Sequence, residues 1–220
     1  MTAPPLVYII VLTWNGKADT LECLRSLADL TYPNFRIMVV DNNSADGTAV
    51  EVIKDYPNVE VIVNGSNLRF AGGNNVGIAS AVERGAELVL LLNNDTTVER
   101  HFLTAMVEAI RSDSGAGMAG PKIYYFGDRK RIWYAGGRIE WWKGWISHVG
   151  VRELDEGQYD APRRIDYVTG CCMLVKREVI ERVGMLDEAY YIYGEDADWC
   201  VRASRAGFSL LYVPSAVICG

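Results

Sequence analysis

Apolar residues come in short unbroken runs that alternate with segments of helical period. "LVYIIVL" (6–12), "FRIMVV" (35–40), "VEVIV" (59–63) and "ELVLLL" (87–92) are strand-sized and largely apolar, the pattern of strands covered on both faces. Between them, "ADTLECLRSLADL" (18–30) repeats Leu21, Leu24, Leu27 and Ala28 at helical spacing. A short helix containing Val50 and Ile53 opens at Asp46-Gly47. Residues 73–84 read as a helix weakened by Gly77, and "VERHFLTAMVEAI" (98–110) as a stronger one. Four strand–helix alternations predict an α/β fold with a mostly parallel sheet and helices on both faces.

After Pro121 the pattern changes. "IWYAGGRIEWWKGWISHVG" (132–150) alternates like a hairpin and holds four tryptophans, Trp133, Trp141, Trp142 and Trp145. Such a cluster fits either a core or a platform on which sugar rings stack. "RIDYVTGCCMLVKREVI" (164–180) reads as strand, turn, strand and helix start. "YGEDADWCVRASRAG" (193–207) reads as a helix stopped by Gly207, and "FSLLYV" (208–213) as a last strand. There is no linker, low-complexity segment or internal repeat, so one domain is predicted.

Composition narrows the partners. Half of the 220 residues are hydrophobic, enough for one large core. The net charge of -6 and the lack of a basic face argue against nucleic acid. No run reaches membrane-span length, and the first twenty residues lack a basic start with a cleavage site. The five cysteines are odd in number, include an adjacent pair and form no CxxC. They suit buried, inert thiols in a reducing cytoplasm, not a disulfide framework or zinc site.

The ends of the four parallel strands carry the candidate chemistry. They finish in Thr13-Trp14-Asn15, in Asp41-Asn42-Asn43-Ser44, in Asn64 to Asn67 with Arg69 beyond, and in Asn93-Asn94-Asp95. Any one such cluster suits a plain turn. Four along one edge mark the place where open α/β sheets bind ligands. Amides and a carboxylate suit a nucleobase and ribose, and Asp95 suits a hard divalent cation that shares phosphate oxygens. Neither a G-x-G-x-x-G nor a P-loop sequence is present. Glu195, Asp196 and Asp198 form a second cluster at a helix start, where acids are favoured anyway, and Asp198 can pair with Arg202. Asp196 lies one turn from Trp199 and Cys200, a partly apolar setting that suits a general base. His101 and His148 read as structural.

In order along the chain, "VVDNNSADGT", "NLRFAGGNNVGI", "LLNNDT", "VTGCCMLVKREVIERVGMLDEAYYIYGEDADWCVRASRAG" and "LYVPSAVI" resemble the family 2 inverting glycosyltransferases, in particular their bacterial rhamnosyltransferase-like branch. The resemblance runs from Val7 to about Ile218. It implies one domain of the GT-A (nucleotide-diphospho-sugar transferase) fold over 1–220, its Rossmann-like sheet extended by a small antiparallel hairpin. Residues 1–122 would be the nucleotide-sugar-binding half, and 123–220 the half with the acceptor site and catalytic base. The implied reaction moves a sugar from a UDP- or dTDP-sugar, dTDP-rhamnose among them, to an acceptor hydroxyl in cell-surface polysaccharide synthesis.

The resemblance also implies roles by position. Thr13, Trp14, Asn15, Asp41 and Asn42 surround the base and ribose, with Asn42 where many relatives have an acid. Asn67, Asn74 and Asn75 line the donor site. Arg69, where the branch often has glycine, reaches towards the diphosphate. Asn93-Asn94-Asp95 stands at the D-x-D motif, so Asn94 flanks the donor and Asp95 holds Mg2+ or Mn2+. Asp196 of the Glu195-Asp196 pair is the base, and Gly170, Cys171 and Trp141 lie on the acceptor side. Relatives often carry a metal-binding histidine shortly after P-x-A-x-x. Here Pro214-Ser215-Ala216 is followed by Val217-Ile218-Cys219-Gly220, so weaker metal binding is expected. The implied acceptor is a saccharide or lipid-linked saccharide, which allows peripheral association with the inner face of the membrane. A sugar nucleotidyltransferase should instead show a glycine- and lysine/arginine-rich loop after the first strand, and "TWNGKADT" offers one glycine and one lysine. A nucleotide-binding domain without turnover is the non-enzymatic alternative, and intact Asp95 and Asp196 argue against it.

Overall fold

The computed structural model describes residues 3–220. The first half is the expected alternation. Strands β1 (Val7–Thr13), β2 (Phe35–Asp41), β3 (Glu60–Val63) and β4 (Leu88–Asn93) pair in parallel in the order β4-β1-β2-β3. Helices α1 (Lys17–Leu27), α2 (Thr48–Asp55) and α3 (Arg69–Glu83) make the crossovers.

Alternation along each strand divides the core in two. Val7, Ile9 and Val11 join Leu24, Leu27, Phe102 and Met106 on one face. Tyr8, Ile10, Met38 and Val40 join Ile78, Ala81, Trp199 and Ala203 on the other. Both faces are covered, which is why these strands read as unbroken apolar runs. In α2 it is Thr48 and Val52 that are buried, whereas Val50 and Ile53 are exposed.

The second half continues the sheet through β6 (Ala116–Tyr125), β11 (Cys172–Lys176) and β12 (Ser209–Cys219), in the order β12-β6-β11-β4. Here β11 is antiparallel to both neighbours, and β12 is parallel to β6. The short β5 (Thr97–Val98), β7 (Asp128–Tyr134) and β10 (Arg163–Arg164) pair with β12, β6 and β12. Strands β8 (Gly137–Glu140) and β9 (Trp145–His148) form the expected separate hairpin. Helices α4 (Phe102–Ser112), α5 (Arg177–Val183) and α6 (Glu195–Arg205) complete the layers.

Several boundaries differ from the periodicity, each for a tertiary reason. Helix α3 begins at Arg69, not at 73, and contains Gly73 and Gly77 because it lies directly on β1 and β2. A Cβ on Gly73 would sit 2.4 Å from Leu12, and one on Gly77 2.6 Å from Ile10. Helix α4 starts at Phe102, not 98, because Thr97 and Val98 pair with Cys219 and Ile218. Strand β6 is not legible as a strand because its small residues let others pack over it. A Cβ on Gly117 would meet Phe208 and Val179 at 2.7 Å, and one on Gly120 would meet Val168 at 2.6 Å. The strand expected after 164 is reduced to Arg163–Arg164. Strand β12 runs on to Cys219, with a register shift between Val213 and Val217 that accommodates Pro214.

Candidate functional site

The C-terminal ends of β1, β2, β3 and β4 lie along one edge, bringing the polar clusters together. The loops there are held in unusual backbone conformations. Asn15, Asn43, Arg69 and Tyr193 all have φ between 52° and 66°. A non-glycine residue in this left-handed region costs on the order of 1–2 kcal/mol, and such strain tends to collect at functional sites. Arg69, where glycine is the expected residue of the resemblance, has φ of 61°.

Several of the anticipated nucleotide-site residues are buried and bonded to protein. Asn42 is 2% exposed; its Nδ2 donates to Asn67 Oδ1 at 3.1 Å and to the Arg69 carbonyl at 3.0 Å, and its Oδ1 accepts from Asn64. Asn74 donates to the Phe70 carbonyl. Asn75 ties α3 to a distant segment: its Oδ1 accepts from Leu186 N, and its Nδ2 donates to Leu186 O and Glu188 Oε1. Asn94 donates to Thr20 Oγ1 at 3.1 Å, with longer contacts to Thr13 Oγ1 and Gly16 O. Asp41 accepts from Ser44 N, while Asn15 N donates to Ser44 Oγ and Asn15 Oδ1 accepts from Ala45 N, which joins two strand-end loops.

Trp14, Asn15, Asn67, Arg69 and Asp95 are exposed at this edge. Among the described residues, no group donates a hydrogen bond to the Asp95 carboxylate. No cluster of three or more His, Cys, Asp or Glu suited to a metal is present among them either. One free carboxylate at a strand end fits a hard cation that takes most of its shell from phosphate and water, not a closed protein cage.

The acidic cluster at the start of α6 resolves into three different environments. Asp198 pairs with Arg202 at 2.7 Å, and Arg202 also donates to the Val183 and Met185 carbonyls, so this pair is structural. Glu195 is 7% exposed with Oε2 unpartnered, and burial raises its carboxyl above the ordinary range. Asp196 is half-buried, its Oδ2 accepting from Gly170 N at 2.8 Å and its Oδ1 from Ala197 N at 2.7 Å.

The segment Gly170-Cys171 joins the two regions. Gly170 holds Asp196, while the Cys171 carbonyl accepts from Asn93 N at 2.9 Å at the end of β4. Gly170 is required by a close approach, since a Cβ would lie 2.9 Å from Phe70 Cζ and 3.5 Å from Asp196 Cβ. Burial pushes the Cys23 thiol up to about 12 and raises Cys171, Cys172 and Cys200 as well, so these cysteines are inert thiols.

The sequence assigns no role to Glu188 or Tyr190. Glu188 and Tyr190 line a hollow of about 240 Å³ with Asn67, Leu68, Arg69 and Gly72, and the Arg69 guanidinium lies 3.9 Å from the Tyr191 ring centre. The available signal was "YYIY", four large side chains separated from the acids by Gly194 alone. Trp141 lines a hollow of about 340 Å³ with Asp166, Val201 and Arg205. His148 is packed edge-on against Trp133 and Tyr134. His101 contacts Thr31 Oγ1 at 3.0 Å. Both fit structural roles.

The profile of the "Glycosyl transferase family 2" matches residues 8–184. The chain is 28% identical over 214 residues to the dTDP-rhamnosyl transferase RfbF of Shigella flexneri, covering 94% of this chain and 66% of that protein. It is 26% identical over 231 residues to an N-acetylglucosaminyl-diphospho-decaprenol L-rhamnosyltransferase of Mycobacterium tuberculosis, covering 96% and 74%. Among solved structures, GalNAc-T7 with UDP, GalNAc and Mn2+ superposes with a TM-score of 0.79 at 18% identity, covering 98% of this chain and 43% of that one. The Pyrobaculum calidifontis mannosyltransferase PcManGT with GDP-Man and Mn2+ superposes with a TM-score of 0.70 at 18% identity, covering 100% and 57%. The chain therefore spans about two-thirds to three-quarters of those curated relatives and about half of those solved chains. At these identities the structural likeness shows the fold, which is GT-A.

Proposed function

Because the chain belongs to glycosyl transferase family 2, we infer that it moves a sugar from a nucleoside-diphosphate donor to an acceptor hydroxyl with inversion of the anomeric carbon. Rhamnosyltransferase relatives favour dTDP-rhamnose as donor and a saccharide or lipid-linked saccharide as acceptor. That role belongs to cell-surface polysaccharide synthesis, at the cytoplasmic face of a membrane. No helix among the described residues is long and apolar enough to cross one. Residues 1–122 serve the donor, and 123–220 carry the acceptor side and the base.

The observation that carries this reading is the Gly170-Cys171 bridge. It joins the end of β4, next to Asp95, to the carboxylate of Asp196 through two backbone hydrogen bonds. Asp95 would hold a divalent cation, Mg2+ or Mn2+, which when bound supplies charge neutralisation to the departing diphosphate. Trp14, Asn15, Asn67 and Arg69 are the exposed groups at the donor edge. Asp41, Asn42 and Asn75 brace the segments that present them, and Asn74 bonds within α3 to the Phe70 carbonyl. Asp196, oriented by the Gly170 and Ala197 amides, takes the proton of the acceptor hydroxyl as its oxygen attacks. General base catalysis of this kind is worth about 10²–10⁴-fold.

Titration calorimetry with UDP, dTDP and GDP, each with and without MnCl2, tests the donor site. Metal-dependent binding of one nucleotide, abolished in Asp95→Ala, is expected. Failure of all three to bind would remove the donor reading. Asp196→Asn should bind the same nucleotide normally yet lose transfer by at least a hundredfold, and transfer at the normal rate would remove Asp196 from the base role.

A further inference from the structure

The β8–β9 hairpin turns at Trp141-Trp142-Lys143-Gly144-Trp145, and its three tryptophans are largely exposed, Trp141 bordering the hollow beside Asp166 and Arg205. Trp141, Trp142 and Trp145 are 65%, 82% and 64% exposed, and Ile146 beside them is 44% exposed. Half of the tryptophans of the chain thus stand in water within five residues. The hairpin is anchored at its other end. Ile139 N donates to Asp166, and His148 packs on Tyr134. Ile139 pairs with Ile146 and packs on the second core. Glu140 and Trp145, the next pair, therefore project from the opposite face of the ribbon. At the apex Gly144 has φ of 63° and open space around it.

Exposed aromatic surface of this kind marks an interaction site. Trp142 and Trp145 present their rings mainly to solvent. Three rings with these exposures offer roughly 300–500 Å², short of the ~800 Å² that each partner contributes to a stable protein interface. Lys143 lies over the Trp142 ring at 4.5 Å and pairs with Glu140 at 2.6 Å, so the apex has almost no net charge. Tryptophan with a neighbouring lysine is a composition favoured at a membrane–water boundary, where the indole sits among headgroups and the ammonium faces water.

We propose that the β8–β9 hairpin tip inserts Trp142 and Trp145 into the headgroup region of a lipid bilayer. This deepens the reading of a lipid-linked acceptor and rests on it for its purpose, but it is tested separately from catalysis. Because the apex is nearly neutral, the attachment depends on indole burial more than on anionic lipid.

The test is sedimentation of the full chain with vesicles of phosphatidylcholine alone and of phosphatidylcholine with one-quarter phosphatidylglycerol, with tryptophan emission recorded in parallel. The wild-type chain should bind both, with less than a threefold difference, and its emission should shift to shorter wavelength. Trp142→Ala/Trp145→Ala should lower the partition coefficient at least tenfold while its melting temperature and nucleotide binding stay unchanged. A wild-type chain that remains in the supernatant overturns the proposal, as does a double variant that binds like wild type. Concentration-dependent dimerisation lost in the double variant, without vesicle binding, would make the tip a protein contact and also overturn it. Nucleotide binding without vesicle binding would leave the transferase reading standing and remove this one alone.

Discussion

Asn75 offers a sharp test of whether an asparagine in the "GGNN" run contacts a ligand or holds the scaffold. It is 7% exposed, and its amide satisfies Leu186 N at 3.1 Å, Leu186 O at 2.9 Å and Glu188 Oε1 at 2.9 Å. Those bonds fasten α3 to the segment leading into α6 and Asp196. Asn75→Ala would leave the two backbone groups of Leu186 without partners in a buried setting. Each orphaned group costs about 1–3 kcal/mol, so a loss of about 2–6 kcal/mol is expected. For a chain of this size about 1 kcal/mol corresponds to roughly 2–4 °C, which places the melting temperature roughly 4–24 °C lower. Asn75→Asp keeps an acceptor for Leu186 N, loses the donor to Leu186 O and sets a second carboxylate against Glu188. It should be no more stable than the alanine variant. Differential scanning calorimetry beside nucleotide titration separates the two roles. A change below about 0.5 kcal/mol, the ordinary range of inconsequential surface substitutions, together with lost nucleotide binding, would refute the scaffold argument.

Gly77→Ala gains about 1 kcal/mol in helix propensity but sets a Cβ 2.6 Å from Ile10 and 3.1 Å from Val40 in a packed layer. A net loss of about 1–2 kcal/mol in urea unfolding is expected, and a gain would mean that α3 can lift from the sheet. His148 supplies a pH dependence. Burial lowers its pKa against the opposing pull of Asp196 and of a backbone hydrogen bond with Trp133. The unfolded chain then takes up this proton first, near pH 6.5. The contribution of His148 is therefore complete above that pH and declines as pH falls through its folded pKa. The melting temperature of His148→Gln should fall less steeply than wild type between pH 7 and pH 5, and parallel curves would contradict the sign.

The first half was legible in the chain because its inner strands are buried on both faces. Such strands must be apolar throughout, and each ends where the polar clusters begin, so runs such as "LVYIIVL" and "LVLLL" announce themselves. The order of those clusters brought out the strand-end edge where Asp95 stands, and the acids of α6. The second half was less legible. Strand β6 is built from Ala, Gly and Pro because Phe208, Val179 and Val168 lie against it, and no local period records that demand.

Within the site, the sequence could name Asn42, Asn75 and Asn94 but not where their amides point. Their partners lie 22 to 111 residues away and exist only once the chain has folded. Likewise the composition of 132–150 allowed either a core or a platform for the tryptophans. Trp133 packs on the core, and the exposure of Trp141, Trp142 and Trp145 was decided by the hairpin projecting from a body whose core was already filled by other residues. Periodicity reports which side of an element must leave water, because that requirement repeats along the element. Which polar atoms meet, and which apolar ones are left outside, depends on the single arrangement that closes all the layers together.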